Sequence, residues 1–162
     1  MLNAGINLPF EIKEFDFEAL DEIQQVNCRA NIYLLTNYLK QIRSKNTLRI
    51  VGISSLYADK SREGRSAYSM SKSAFEAFIC SVALEYADQN VLANLVRPGF
   101  IETKMTRTNN SKNEISRIIE QIPLGRLGSP REVALLCSFL TSENNTYITG
   151  EKILIDGGRS LN

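Results

Sequence analysis

Three short β-branched runs, each followed or preceded by a stretch with helical spacing, restrict this chain to one class of fold. Leu48–Ile53, Val91 to Val96 and Lys152–Ile155 have the length and apolar content of buried strands. Asp16 can cap a helix running to about Ser44, with Leu20, Ile23, Val26, Ala30, Tyr33 and Leu34 on one face. A polar stretch, Tyr57 to Arg65, leads to a second helix from about Ala67 to Ala87, carrying Phe75, Phe78, Ile79, Val82 and Tyr86 at helical spacing. Pro98-Gly99 stops the second strand, since proline cannot continue a central ladder. The segment Ile101 to Gly128 is polar, expected to be mobile, with a short helix around Glu114 to Gln121. Ser129-Pro130 opens a further helix through about Thr141, with Glu132 in its first turn. Helices between buried strands imply a parallel sheet covered on both faces, an α/β class, and we expect one domain over residues 1–162.

The start of the chain is unusual for such a sheet. Met1-Leu2-Asn3-Ala4-Gly5 reads as the tail of a strand running into a glycine turn, with almost no strand before it. Neither Gly-x-Gly-x-x-Gly nor Gly-x-x-x-Gly-x-Gly, the phosphate-cradling loops of α/β folds, occurs in the sequence.

The 162 residues contain no histidine. That excludes Ser-His-Asp and Cys-His catalysis and two-histidine metal sites within this chain. Cys28, Cys80 and Cys137 are too far apart for paired metal-ligand spacing and read as reduced, buried thiols. A net charge of +1 offers no argument for nucleic acid or an anionic membrane surface. No apolar run approaches a spanning helix and no signal-peptide pattern opens the chain, so a cytoplasmic location is expected. Proton chemistry would fall to Tyr, Lys, Ser or carboxylates.

Tyr68 and Lys72, four apart on one helix, share a face. An ammonium beside a phenol favours the phenolate and fits the tyrosine for acid–base work, although a surface Tyr with a solvated Lys has the same spacing. Ser55 ends a buried strand at the carboxyl edge, where open α/β sheets place ligands, yet Ser54-Ser55 also reads as a turn. Asn27 lies among apolar neighbours, as a catalytic amide or as a core residue bridging to backbone. Pro98-Gly99-Phe100-Ile101-Glu102-Thr103 follows the next strand at the same edge, either a ligand-facing loop or a plain turn, and Asp156-Gly157-Gly158 closes the last strand. Lys104, Arg107 and Lys112 are solvated charges or the mouth of a site for an anionic substrate.

Taken in order, these residues resemble the short-chain dehydrogenase/reductases, closest to the bacterial 3-oxoacyl-carrier-protein reductases. Asn3-Ala4-Gly5 is similar to half of the family's Asn-Asn-Ala-Gly turn, and Asn27 to its active-site Asn. Ser55, Tyr68 and Lys72 match the spacing of its catalytic Ser, Tyr and Lys, and Pro98 to Thr103 its nicotinamide-side loop. Leu124-Gly125-Arg126, Ile148-Thr149-Gly150 and Asp156-Gly157-Gly158 complete the match. The resemblance implies the C-terminal portion of a Rossmann-type doubly wound sheet, a three-layer α/β/α arrangement in which the family's strands 4 to 7 form a contiguous block. It implies NAD or NADP as cofactor and a ketone or secondary alcohol, free or carrier-bound, as substrate. Cofactor contacts would come from Asn3, Ala4, Gly5, Tyr68, Lys72, Pro98, Gly99, Ile101 and Thr103, and catalysis from Asn27, Ser55, Tyr68 and Lys72.

The family's first strand, glycine-rich loop and following βα units have no counterpart here. A truncation, a split gene product and a fragment of a longer protein all fit that departure, and with them a silent remnant or half of a two-chain enzyme. The resemblance also implies a homodimer or homotetramer built on the first two helices, with Tyr33, Tyr38, Phe75 and Phe78 as apolar surface.

Overall fold

The computed structural model describes residues 1–41 and 46–161. Its sheet contains β1 (Leu48–Ile53), β2 (Val91–Pro98) and β3 (Lys152–Ile155), all parallel, in the order β1-β2-β3. Ile53 lies opposite Val96 and Ile155 opposite Pro98, so the carboxyl ends of the strands are level. Leu2 extends the sheet beyond β1 by a single parallel bridge: its N–H donates to the Val51 carbonyl, and its carbonyl accepts from Ile53, both at 2.8 Å. The stub, β1, β2 and β3 thus form the contiguous parallel block that the sequence implied. Val91–Pro98 runs two residues beyond the predicted strand.

Strand alternation divides the core between two faces. Ile50, Val91, Ala93 and Leu95 pack with Leu35, Leu39, Phe75, Ile79 and Val82 beneath the helices that flank β1 in sequence. Val51 and Val96, on the opposite face, pack with Cys137 and Leu140 of α6 (Pro130–Thr141). Cys28 and Cys137 are buried and Cys80 half-buried, and burial pushes the thiols of Cys28 and Cys137 up.

The first helical region is not the uninterrupted helix predicted from Asp16. The Asp16 carboxylate does cap α1 (Phe17–Gln24), accepting from the Ala19 N–H at 2.9 Å. A π-turn, Gln25–Arg29, then separates α1 from α2 (Ala30–Gln41); the predicted end near Ser44 lies outside the described residues. The π-turn accommodates one extra residue, so every core position after it moves on by one. Asn31, Leu35 and Leu39 face the sheet, where the uninterrupted period pointed to Ala30 and Leu34; Tyr33 and Leu34 are exposed.

The second predicted helix is α3, Ser66–Glu85, and its face is the expected one. Phe75 needs correction as a surface residue: it is 1% exposed and sits against β1 in the core. The segment from Ile101 to Gly128 carries two helices, α4 (Lys104–Thr108) and α5 (Lys112–Glu120), of which only the second was foreseen. A bridge between Ile101 and Gly128 closes this segment on itself.

One buried ionic cluster joins α3 to the sheet. Glu76, 3% exposed, accepts from Arg97 Nε at 2.7 Å and Nη2 at 2.6 Å, and from Ser54 Oγ at 2.6 Å. Arg97 also reaches Asp59, and Lys152 Nζ of β3 lies 3.7 Å from Glu76. Removing the Glu76 carboxylate takes away the buried bidentate partner of Arg97 and leaves it only the exposed Asp59, a loss of about 3–5 kcal/mol. Glu76→Ala is therefore expected to lower the unfolding free energy by that amount in urea titrations. The apolar double variant Glu76→Leu with Arg97→Met should recover most of it, because both charges leave together.

Candidate active site

The carboxyl edge of the sheet opens into a cleft of about 430 Å³. Asn3, Gly5, Ser55, Tyr68, Lys72, Pro98, Gly99, Ile101 and Thr103 all line it, so the structure gathers nearly every residue singled out in the sequence. Ala4 and Asn27 do not line it. The Ala4 carbonyl accepts from Asn31 Nδ2 at 3.2 Å, and Asn27 sits behind the turn.

Asn27 owes its position to the π-turn. Its Oδ1 accepts from the Ile6 N–H at 2.7 Å, and its Nδ2 donates to the Ile6 carbonyl and to Ser71 Oγ, both at 2.9 Å. The amide therefore pins the segment after Gly5 to α3, which is the backbone-bridging reading of this residue. Lys72 Nζ lies on the other side of the same turn. A Cβ added at Gly5 would come within 3.2 Å of that ammonium and 3.5 Å of Asn27 Oδ1, so glycine is what allows the approach.

Ser55 follows β1 in extended backbone, and its Oγ accepts from the Tyr57 N–H at 3.1 Å, capping the turn at Leu56–Ala58. Tyr68 stands in the first turn of α3 and Lys72 one turn later. Lys72 is 3% exposed; its Nζ donates to the Ile53 carbonyl at 2.9 Å and lies 5.8 Å from the centroid of the Tyr68 ring.

The electrostatics reverse one expectation. Burial pushes the Tyr68 hydroxyl up from its ordinary value, against a downward pull from a hydrogen bond with Ser55 and from Arg65. Lys72 does not make it a phenolate; Tyr68 is held as the phenol, the form that can donate a proton. Lys72 itself is brought down to about 8 by burial, with Glu76 opposing.

The far wall comes from α6 and the loop after β2. Pro130, Val133, Ala134 and Cys137 face the cleft from α6, a spacing of three, four and seven that reading for polar chemistry passed over. Gly99 crosses the end of β3 so closely that a Cβ there would meet the Asp156 Cβ at 2.7 Å. Thr103 Oγ1 caps α4 by accepting from the Thr106 N–H at 3.3 Å. Lys104 and Arg107 are exposed, Arg107 paired with Glu102 at 2.7 Å, and neither they nor Lys112 line the cleft. Ser71, Asn31 and Glu76, which hold the site in place, were missed, and Ser54 was read only as a turn residue; Asn31 and Glu76 are polar residues beside apolar neighbours, the signal that could have found them, while Ser71 lies among polar residues.

Because folding lowers the Lys72 pKa, the ammonium costs about 3 kcal/mol of stability below pH 8, and this cost fades as pH rises toward the ordinary lysine range. Two results are expected: a Lys72 ¹³Cε titration midpoint near 8 by NMR, and a Lys72→Met variant that melts higher than the parent at pH 6.5, with the gap narrowing by pH 9.5.

Comparison with known proteins agrees with this geometry. A family model described as Enoyl-(Acyl carrier protein) reductase matches residues 1–160. The 3-oxoacyl-acyl-carrier-protein reductase FabG of Aquifex aeolicus is 40% identical over 156 residues, 96% of this chain and 62% of that protein. The Vibrio cholerae protein of the same name is 36% identical over 159 residues, 96% of this chain and 64% of its own. The chain thus spans slightly under two thirds of the curated relatives it matches. A short-chain dehydrogenase family protein from Francisella tularensis superposes with a TM-score of 0.90 at 28% identity, over 99% of this chain and 70% of that one. An NADP-bound structure from Beutenbergia cavernae, named as a putative NAD(P)-dependent gluconate 5-dehydrogenase, gives 0.93 at 27% identity, over 99% and 65%. Matched along almost its whole length by sequence and by fold, the chain belongs to the short-chain dehydrogenase/reductase family.

Proposed function

We propose that this chain carries the catalytic part of an NAD(P)-dependent oxidoreductase that interconverts a ketone and a secondary alcohol, in the manner of the 3-oxoacyl-carrier-protein reductases it is similar to. The observation that carries this reading is the meeting of Ser55, Tyr68 and Lys72 in one cleft at the carboxyl edge of the sheet. In it Ser55 Oγ orients the substrate carbonyl oxygen, and the Tyr68 hydroxyl, held protonated by its burial, gives its proton to that oxygen. Bound in this cleft, the nicotinamide supplies the hydride.

The residues present fit the nicotinamide and ribose end of such a cofactor. Pro98, Gly99, Ile101 and Thr103 form one wall; Tyr68 and Lys72 form another. Lys72 gives one N–H to the Ile53 carbonyl, which leaves its other donors for a ribose hydroxyl and for steering the tyrosine. Asn27, by clamping Ile6 to α3, keeps the Gly5 turn against Lys72; in this reading Asn27 also holds the water that connects Lys72 to solvent.

A second reading is favoured by an exposed apolar face on the helices. On it these residues are one half of a two-part enzyme, or a silent remnant acting through oligomerisation. Exposed Tyr33, Leu34 and Tyr38 on α2, with Met70 and Leu84 on α3, supply an apolar surface for a homo-oligomer. Sedimentation should accordingly show a concentration-dependent dimer or tetramer; a monomer at every concentration contradicts the assembly.

Fluorescence titration with NADH and NADPH separates the readings. These 162 residues alone are expected to bind more weakly than about 1 mM. Adding the strand-loop-helix half of a relative, in cis or as a second chain, should restore binding and reduction of a 3-oxoacyl model substrate. In that reconstituted enzyme Tyr68→Phe should lower turnover at least about a hundredfold with folding unchanged. Full activity of the Phe variant would remove Tyr68 as the acid, and failure of every reconstitution would favour the remnant.

A further inference from the structure

Next to this cleft lies a second, polar pocket of about 610 Å³. The two share their walls residue by residue. Ser55 lines the cleft while Leu56 and Tyr57 line the pocket; Gly99 and Ile101 line the cleft while Phe100, between them, lines the pocket. The Tyr57 N–H donates to Ser55 Oγ at 3.1 Å, so the pocket begins one hydrogen bond from the proposed carbonyl-orienting hydroxyl.

Lys60, Arg62, Arg117 and Arg159 face this pocket, against two carboxylates, Glu63 and Glu114. Among the described residues none of these four cations is held in an ion pair. Glu114 is turned to other work, its Oε2 accepting from the Ser111 N–H and Oγ at 2.7 Å to cap α5. Arg62 is fixed by packing rather than by a counter-ion. Its guanidinium stands 5.2 Å from the Phe100 centroid and 5.9 Å from that of Tyr57, while Nη2 donates to Asn110 Oδ1 at 2.8 Å. Arg159 has Nη2 satisfied by Gln121 Oε1 at 2.8 Å, but its Nε is buried without an acceptor. A buried guanidinium N–H with no partner calls for a ligand or an ordered solvent atom. Burial pushes the Tyr57 hydroxyl up, with Arg62 and Arg159 pulling the other way, so the pocket holds a phenolic donor as well.

We propose that this pocket is an oxyanion subsite, in which Arg62, Arg159 and Tyr57 bind a carboxylate or phosphate carried by the substrate whose carbonyl lies in the adjoining cleft. The assignment rests on the carbonyl reading of that cleft. The group recognised is an oxyanion, and it has two sources: the carboxylate of a free oxo acid, or the phosphate of a carrier's pantetheine arm. Three donors around one anion give charge-assisted bonds of the stronger kind and reject a neutral counterpart, which would leave them unpaired.

Calorimetry on the 162-residue chain tests this without any cofactor. 3-Oxobutanoate is compared with its methyl ester, and 4′-phosphopantetheine with pantetheine. In at least one pair the anion should bind about tenfold or more tightly than the neutral partner, with the gap shrinking as salt rises. The pair that shows the gap identifies the source. The Arg159 Nε–H resonance should shift with that anion alone. Arg62→Met and Arg159→Met should close the gap, and Arg131→Met, on exposed α6 surface, should keep it. Equal binding within both pairs of the unaltered protein overturns the proposal whether or not the variants fold, as does a gap that survives in both folded pocket variants. Tyr68→Phe should keep the gap. If that variant, reconstituted, also kept its turnover, the carbonyl reading alone would fall and the oxyanion site would stand.

Discussion

The bidentate pairing of Glu76 with Arg97 is the contact on which the site depends. A buried carboxylate and guanidinium tolerate little displacement, because each is expensive in an apolar interior without the other. Their meeting therefore sets the height and rotation of α3 against β2. Tyr68, Lys72 and Glu76 stand at four-residue intervals on that helix, so locking Glu76 also aims the two side chains that line the cleft above it. Ser54 donates to the same carboxylate, which orients the turn that presents Ser55. One ionic contact beneath the cleft thus positions three groups within it.

Burial does more to the chemistry of the cleft than charge proximity does. An ammonium near a phenol was expected to draw the phenol toward its anion. Instead, both groups are shifted toward their neutral forms, Tyr68 upward and Lys72 down to about 8, because both sit where water is scarce. A tyrosine kept protonated suits donation to a developing alkoxide. A lysine near 8 changes its protonation readily close to physiological pH, which suits a group that passes on or replaces that proton. In the second pocket aromatic rings hold Arg62 in place of a carboxylate. On the proposed reading, a neutral reacting centre beside a positive recognition pocket would separate chemistry from selection and give the substrate a direction.

Much of this was legible in the residues. Leu48–Ile53, Lys152–Ile155 and the core face of α3 followed from apolar spacing, and Ser55, Tyr68 and Lys72 from their order along the chain. The register of α2 was not. A period of 3.6 carried through Gln25–Arg29 exposes Leu35 and buries Leu34, whereas the extra residue of the π-turn does the reverse. That turn exists because Asn27 has a backbone to hold at Ile6, 21 residues away, and no local rule contains that requirement.

What the sequence by itself determined is the alternation of strands and helices, the parallel sheet, and a His-free set of hydroxyl and amine groups at its carboxyl edge. These depend on neighbours within a few residues, where geometry is nearly the same in every protein. Only the tertiary structure decided which polar residues are partners: Glu76 with Arg97, Asn27 with Ile6, Arg62 with Phe100 and Tyr57. It also decided that Arg159, almost a hundred residues beyond Arg62, faces the same pocket. The physical reason is that a buried polar group needs a partner somewhere, while its position in the sequence says nothing about how far along the chain that partner lies.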